Sequence, residues 1–263
     1  MTASFDITRH QFASFDGHSI SYLLSGPSTG PAVLLVHGFV SDATLNWVKG
    51  GTVAQLAEAG FRVTAPDLRG HGQSAKPHND GAYPDDVLAQ DQGALLAHLG
   101  IQRVHLVGYS LGAITVARMV ERGADAASMV LSGMGDGLTI ASGRGDKFVA
   151  ALTGQMPISD PFAATVLGFV KRMRGDKTAL AQVIRGRKSV SIDALARWTA
   201  PCLVLNGEHD QDNGDGAALA AMIPGARAQS IAGNHMDAIL KPGFAQAITA
   251  FLKAQKPEVS TST

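Results

Sequence analysis

A single cysteine, Cys202, is all the thiol chemistry that the 263 residues offer. It excludes an internal disulfide and any site built from several cysteine ligands. A lone thiol fits a reducing compartment. Net charge is missing too, with 22 Lys and Arg set against 22 Asp and Glu. The overall charge therefore provides no electrostatic footprint for nucleic acid or an anionic membrane. Long hydrophobic runs are also absent. The longest early run, Ala32–Val36, stops at His37, far short of the ~20 apolar residues of a membrane span. The opening MTASFDITRHQF lacks the basic, apolar, small-residue order of a secretory signal. These absences predict a cytoplasmic protein with neither nucleic-acid nor membrane partners. Charged residues make up only 17% and hydrophobic ones 45%, so the chain can bury a large core and is not disordered.

What the sequence does contain is an alternation of two patterns. AVLLV (32–36), FRVTA (61–65), VHLVG (104–108), SMVLS (128–132) and CLVLN (202–206) read as strands. Residues 52–59, 87–99, 111–122, 217–222 and 244–254 read as helices. Strands that are apolar throughout belong in a parallel sheet covered on both faces. The alternation predicts an α/β fold, a mostly parallel, doubly wound sheet of about eight strands. Segments 5–12 and 19–25 alternate around Asp16-Gly17 and predict an antiparallel hairpin at the sheet edge. Between Met134 and Trp198 the strands give out. Ser159-Asp160-Pro161 starts a helix there, and 162–174 and 178–186 keep helical spacing. This predicts a core of residues 1–133 and 199–263, with a small helical cap, 134–198, inserted after the sixth strand. The tail 256–263 is polar and expected to fray.

Gly108-Tyr109-Ser110-Leu111-Gly112 has the form G-x-S-x-G, with the strand VHLV before it and the helix LGAITVARMVER after it. That context makes a sharp elbow presenting the serine at the top of the sheet, with glycines where side chains would collide. A serine hydroxyl needs a base, held in turn by a third group. Asp210 follows the strand PCLVLNG, and His235 follows the next segment, ARAQSI. Both fall in loops beyond strand C-terminal ends. His235 is set to accept the Ser110 proton, and Asp210 to hold its tautomer. Asp136, after the sixth strand, is the rival acid, and His209, beside Asp210, the rival base. His37-Gly38-Phe39 follows AVLLV, so the amides of Phe39 and Leu111 are the expected oxyanion donors. His37 is expected to make a structural hydrogen bond.

Together HGF, DLRGHGQS (67–74), GYSLG, GEHD and GNHM resemble the α/β-hydrolase superfamily, in particular its small bacterial esterase, lactonase and haloperoxidase-like members. The resemblance covers about residues 20–255. It implies a triad of Ser110, Asp210 and His235, and an oxyanion hole at Phe39 and Leu111. It also implies a bracing role for DLRGHGQS, including His71. Related dehalogenases and epoxide hydrolases carry aspartate where this chain has Ser110, which disfavours those reactions.

Other signals carry less. Asp210–Gly216 lacks the glycine and glutamate of a calcium loop, no H-E-x-x-H occurs, and Cys202 sits inside a strand. Trp47 is set either to line the acyl pocket or to brace its loop. Tyr109 and Met236 are further candidates for the pocket. Phe162, Val166, Leu167 and Phe169 are expected to pack the cap onto the core. Lys171, Arg172, Arg174, Lys177, Arg185, Arg187 and Lys188 read either as a solvated face or as an attraction for an anionic ester. The expected function is hydrolysis of a small carboxylic ester, lactone or thioester through an acyl-enzyme, without cofactor or metal, in a monomer or small homo-oligomer. Perhydrolysis, cofactor-free oxygenation, C–C bond hydrolysis and slow-turnover ligand reception stay open.

Overall fold

The computed structural model describes residues 5–139 and 143–255. The polar tail 256–263 and residues 140–142 of the expected cap lie outside the described residues.

Strands β1 (Thr8–Ala13) and β2 (Ser19–Ser25) form the edge hairpin, antiparallel with Ala13 opposite Ser19. The remaining strands are β3 (Ala32–Val36), β4 (Arg62–Pro66), β5 (Val104–Tyr109), β6 (Ala126–Ser132), β7 (Cys202–Gly207) and β8 (Arg227–Ile231). They form one eight-stranded sheet in the order β1-β2-β4-β3-β5-β6-β7-β8, parallel from β4 to β8. The chain runs outward from β3 to β4 on one side and then crosses to β5 on the other. Such a reversal opens a crevice outside the strand C-termini.

Helices cover both faces. Strand residues alternate between two apolar layers. Leu34, Val36, Leu106, Met129, Leu131 and Val204 enter one with α2 (Val87–His98) and α3 (Leu111–Glu121). Val33, Leu35, Val107, Val130, Leu203 and Leu205 enter the other with α1 (Thr52–Glu58) and α9 (Pro242–Lys253). That two-sided burial is why the central strands contain so few charged residues.

Between β6 and β7 lie α4 (Arg144–Leu152), α5 (Pro161–Arg172), α6 (Lys177–Arg185) and α7 (Ile192–Ala196). The Asp160 carboxylate accepts from the amides of Phe162 and Ala163, and Asp176 caps α6 through Ala179. A separate apolar cluster joins these helices through Ala151, Leu152, Ala163, Val166, Val170 and Leu180. Val183, Val190, Leu195 and Trp198 instead pack into the α2–α3 face of the sheet. Helix α8 (Gly216–Ala221) links β7 to β8.

The segment after β4 locks this end of the molecule. Asp67, 1% exposed, accepts from the Ala43 and Gln73 amides and from Arg9. The Arg69 guanidinium is fully buried between Asp91 and Asp16. A buried cation is tolerable only when its donors are met in this way.

Candidate active site

Register places the site. Gly108 lies opposite Val36, Tyr109 opposite Ser132, Ser132 opposite Leu205, and Gly207 opposite Ile231. The strands therefore end level, and the loops that follow them gather on one edge.

Ser110 occupies the turn between β5 and α3 at φ 53°, ψ −112°. A side-chain-bearing residue holds such a conformation only where its surroundings enforce it. The packing here is tight. A Cβ on Gly108 would collide with the Gly112 carbonyl, and one on Gly112 with the Val36 carbonyl. The Ser110 amide donates to the Ser132 carbonyl at 2.8 Å. With the backbone pinned this way, the hydroxyl stands free of the sheet.

Ser110 Oγ lies 3.1 Å from His235 Nε2. His235 Nδ1 lies 2.9 and 3.1 Å from the two carboxylate oxygens of Asp210. An ionised carboxylate only accepts, so Nδ1 carries the proton and Nε2 is left to accept from the serine. The Asp210 carboxylate is 2% exposed and the imidazole 14%. Asp136 takes no part in this chain of contacts. Its Oδ1 accepts from the Asp215 amide at 3.0 Å. His209 is exposed, with its Nε2 3.6 Å from Glu208.

The loop after β3 lies over the elbow. A Cβ at Gly38 would be 3.5 Å from the Ser110 Cβ, an ordinary van der Waals distance, so this loop lies directly against the elbow. Asn46 Oδ1 accepts from the Gly38 amide at 2.8 Å. His37 is fully buried, with Nδ1–H donating to the Gly38 carbonyl and Nε2 accepting from the Leu68 amide at 2.9 Å. Burial holds its pKa below the usual histidine value, so it stays neutral and can accept. The amides of Phe39 and Leu111 have no acceptor among the described residues. Leu111 begins α3, whose dipole favours negative charge at that end.

A cavity of about 580 Å³ opens over these groups. Ser110, Leu111, His235 and Met236 form part of its floor, and Phe39, Phe148, Phe162, Val166 and Phe169 give it an apolar wall. Three sequence expectations change here. Trp47 does not line the cavity. It is fully buried on the α1–α9 face, with its ring centroid 6.3 Å from that of Phe244. Tyr109 does not line it either. As the last residue of β5 it points into the same layer, where its hydroxyl donates to the His235 carbonyl at 2.5 Å. Burial first, and then nearby carboxylates, push that hydroxyl's pKa well up, which keeps it a donor. Phe162, Val166 and Phe169 do more than pack the helices together, since the spacing i, i+4, i+7 turns all three toward the cavity. Cys202 is buried in β7 with its thiol pushed up to about 12, as a core residue.

Sequence reasoning passed over Tyr109 as a support for His235. It also passed over Asn206, whose amide bonds both the amide and the carbonyl of Met134 and ties the loop after β6 to β7.

A family model described as alpha/beta hydrolase fold matches residues 31–150. An esterase from Rhodococcus sp. ECU1013 superposes with a TM-score of 0.71 at 26% identity, over 97% of this chain and all of that one. This chain belongs to the α/β-hydrolase superfamily. Curated superfamily relatives are matched over a shorter stretch. An uncharacterized Mycobacterium tuberculosis protein is 43% identical over 102 residues, 39% of this chain and 28% of that protein. A fluoroacetate dehalogenase from Burkholderia sp. is 39% identical over 94 residues, 35% of this chain and 30% of that enzyme. The chain thus spans under a third of the length of these curated relatives. Among the described residues no helix is long and apolar enough to cross a membrane.

Proposed function

We propose that this member of the α/β-hydrolase superfamily is a serine hydrolase that cleaves a small carboxylic ester. The observation that carries the proposal is the unbroken run from Ser110 Oγ through His235 to Asp210, opening into an apolar cavity large enough for a small ester.

In this reading Ser110 Oγ attacks the ester carbonyl while His235 Nε2 takes its proton. The imidazolium that forms is stabilised by Asp210. The carbonyl oxygen becomes an oxyanion and is received by the Phe39 and Leu111 amides. Collapse expels the alcohol, which takes the proton back from Nε2. His235 then activates a water to release the acid.

The dehalogenase relative does not decide the reaction of this chain. Displacement of halide by a serine hydroxyl would leave an ether, with no carbonyl for water to attack. Displacement by a carboxylate leaves an ester that water can cleave. Ser110 therefore favours acyl transfer. The Rhodococcus esterase, alike over nearly the whole chain, supports the same class.

The test is labelling with a fluorophosphonate, alongside turnover of p-nitrophenyl butyrate. One serine, Ser110, should be labelled. Ser110→Ala should abolish labelling and lower kcat by about 10⁵–10⁶, because members of such a unit act together. Retained turnover in the alanine variant would overturn the assignment.

A further inference from the structure

Seven cations crowd residues 171–188, and in the structure they part ways. Lys171, Arg172, Arg174, Lys177, Arg185 and Lys188 are exposed to solvent. Arg187 is partly buried and lines the cavity that holds Ser110 and His235. Its backbone is held from outside the cap. The Gly186 carbonyl accepts from the Asp86 amide at 3.3 Å, and a Cβ on Gly186 would be 2.9 Å from the Tyr83 carbonyl oxygen. The guanidinium reaches toward α4, where a Cβ on Gly145 would lie 3.5 Å from Nη2.

The Arg187 guanidinium makes no hydrogen bond or ion pair with any described residue. Burial alone draws its pKa down, and no carboxylate opposes the shift. The acids around it are committed elsewhere. Asp86 pairs with Arg118 at 2.5 Å, Lys188 pairs with Asp85 at 2.9 Å, and Asp212 pairs with Arg144 at 2.9 Å across the cavity rim. A desolvated cation left without a counter-charge is an expensive arrangement unless a ligand completes it.

We infer that Arg187 receives a carboxylate carried by the substrate, so that the preferred ester is anionic, such as a half-ester of a dicarboxylic acid. The inference rests on the serine-hydrolase reading for what happens to that ester. The other charges of the cavity lining are occupied: Arg144 pairs with Asp212, and Asp136 Oδ1 accepts from the Asp215 amide.

The experiment separates binding from turnover. In the Ser110→Ala protein, calorimetry compares monomethyl glutarate with dimethyl glutarate. Arg187→Met should weaken the monoanion by about 30-fold, the loss of one charge-assisted bidentate contact. Its effect on the neutral diester should be at least tenfold smaller. Arg187→Lys should fall between, keeping the charge and losing the fork. With Ser110 intact, the same ordering should appear in KM for mono-p-nitrophenyl glutarate against p-nitrophenyl valerate. Equal losses on both ligands, or no loss on the monoanion, would overturn the inference. Absent fluorophosphonate labelling with the monoanion preference retained would overturn the hydrolase reading and leave Arg187 as an anion site.

Discussion

Replacing Asp210 by asparagine removes one charge and almost no volume. In the wild type that charge sits with its oxygens 2.9 and 3.1 Å from His235 Nδ1, almost entirely out of water. In the proposed reaction His235 takes the serine proton, and an imidazolium forms against that charge. At a charge separation of about 4 Å and an effective dielectric near 20, the attraction is about 4 kcal/mol. That corresponds to about 10³ in rate. Asparagine can also turn its amide toward Nδ1, which selects the tautomer whose protonated Nε2 cannot accept from Ser110, and this enlarges the loss toward about 10⁴. The assay is kcat on p-nitrophenyl butyrate, with far-UV circular dichroism to show that the fold is kept. Asp136→Asn is the control, because an asparagine Oδ1 still accepts from the Asp215 amide. It should cost less than about fivefold, as this exposed hydrogen bond is retained in neutral form. An Asp210→Asn enzyme within tenfold of wild type, or a larger loss in Asp136→Asn, would refute the reasoning.

Two further outcomes follow from the surroundings of the site. Tyr109→Phe removes the hydroxyl that holds the His235 carbonyl. It should lower kcat by about 5–10-fold with little change in KM, the equivalent of about 1 kcal/mol of positioning; an unchanged kcat would show that the loop holds the imidazole without it. The acid limb of stability should show the buried histidines. Burial, with the neighbouring His37 and Lys76 helping, pushes His71 down to about 3, so between an unfolded value of about 6.5 and 3 the unfolded chain binds a proton that the folded one refuses. Stability should therefore fall as pH drops through that window, by about 1.4 kcal/mol per pH unit for each such group. Asp16 adds to the fall only at lower pH. Its burial is outweighed by the Arg69 and His18 hydrogen bonds that hold its carboxyl below the usual range. Urea unfolding at stepped pH should show a shallower slope for His71→Gln, and an unchanged slope would refute the assignment.

The features that could be read in the chain are those whose physics is local. The elbow needs glycine at 108 because of a clash with the Gly112 carbonyl four residues on, while the glycine at 112 also makes room for the Val36 and His37 carbonyls. The apolar runs of β3, β5, β6 and β7 announce two-sided burial, because each strand by itself must be dry on both faces. The Asp160 and Asp176 helix starts are satisfied by amides two or three residues on.

The rest depended on which distant segments met. Asp136 and Asp210 follow neighbouring strands whose ends are level, so chain order could not separate them. The contact to His235 did, along with the use of Asp136 by the Asp215 amide. Tyr109 stands next to Ser110 in sequence and Trp47 follows the loop after β3, yet both face the α1–α9 layer, a matter of sheet face rather than of spacing. Of seven similar cations between 171 and 188, only Arg187 turns into the cavity. Its direction is set by the Gly186 backbone lodged against Tyr83 and Asp86, about a hundred residues earlier in the chain. A residue's type and its near neighbours decide what chemistry it can do. Which groups stand beside it is decided by packing between distant parts of the chain, and no local pattern carries that information.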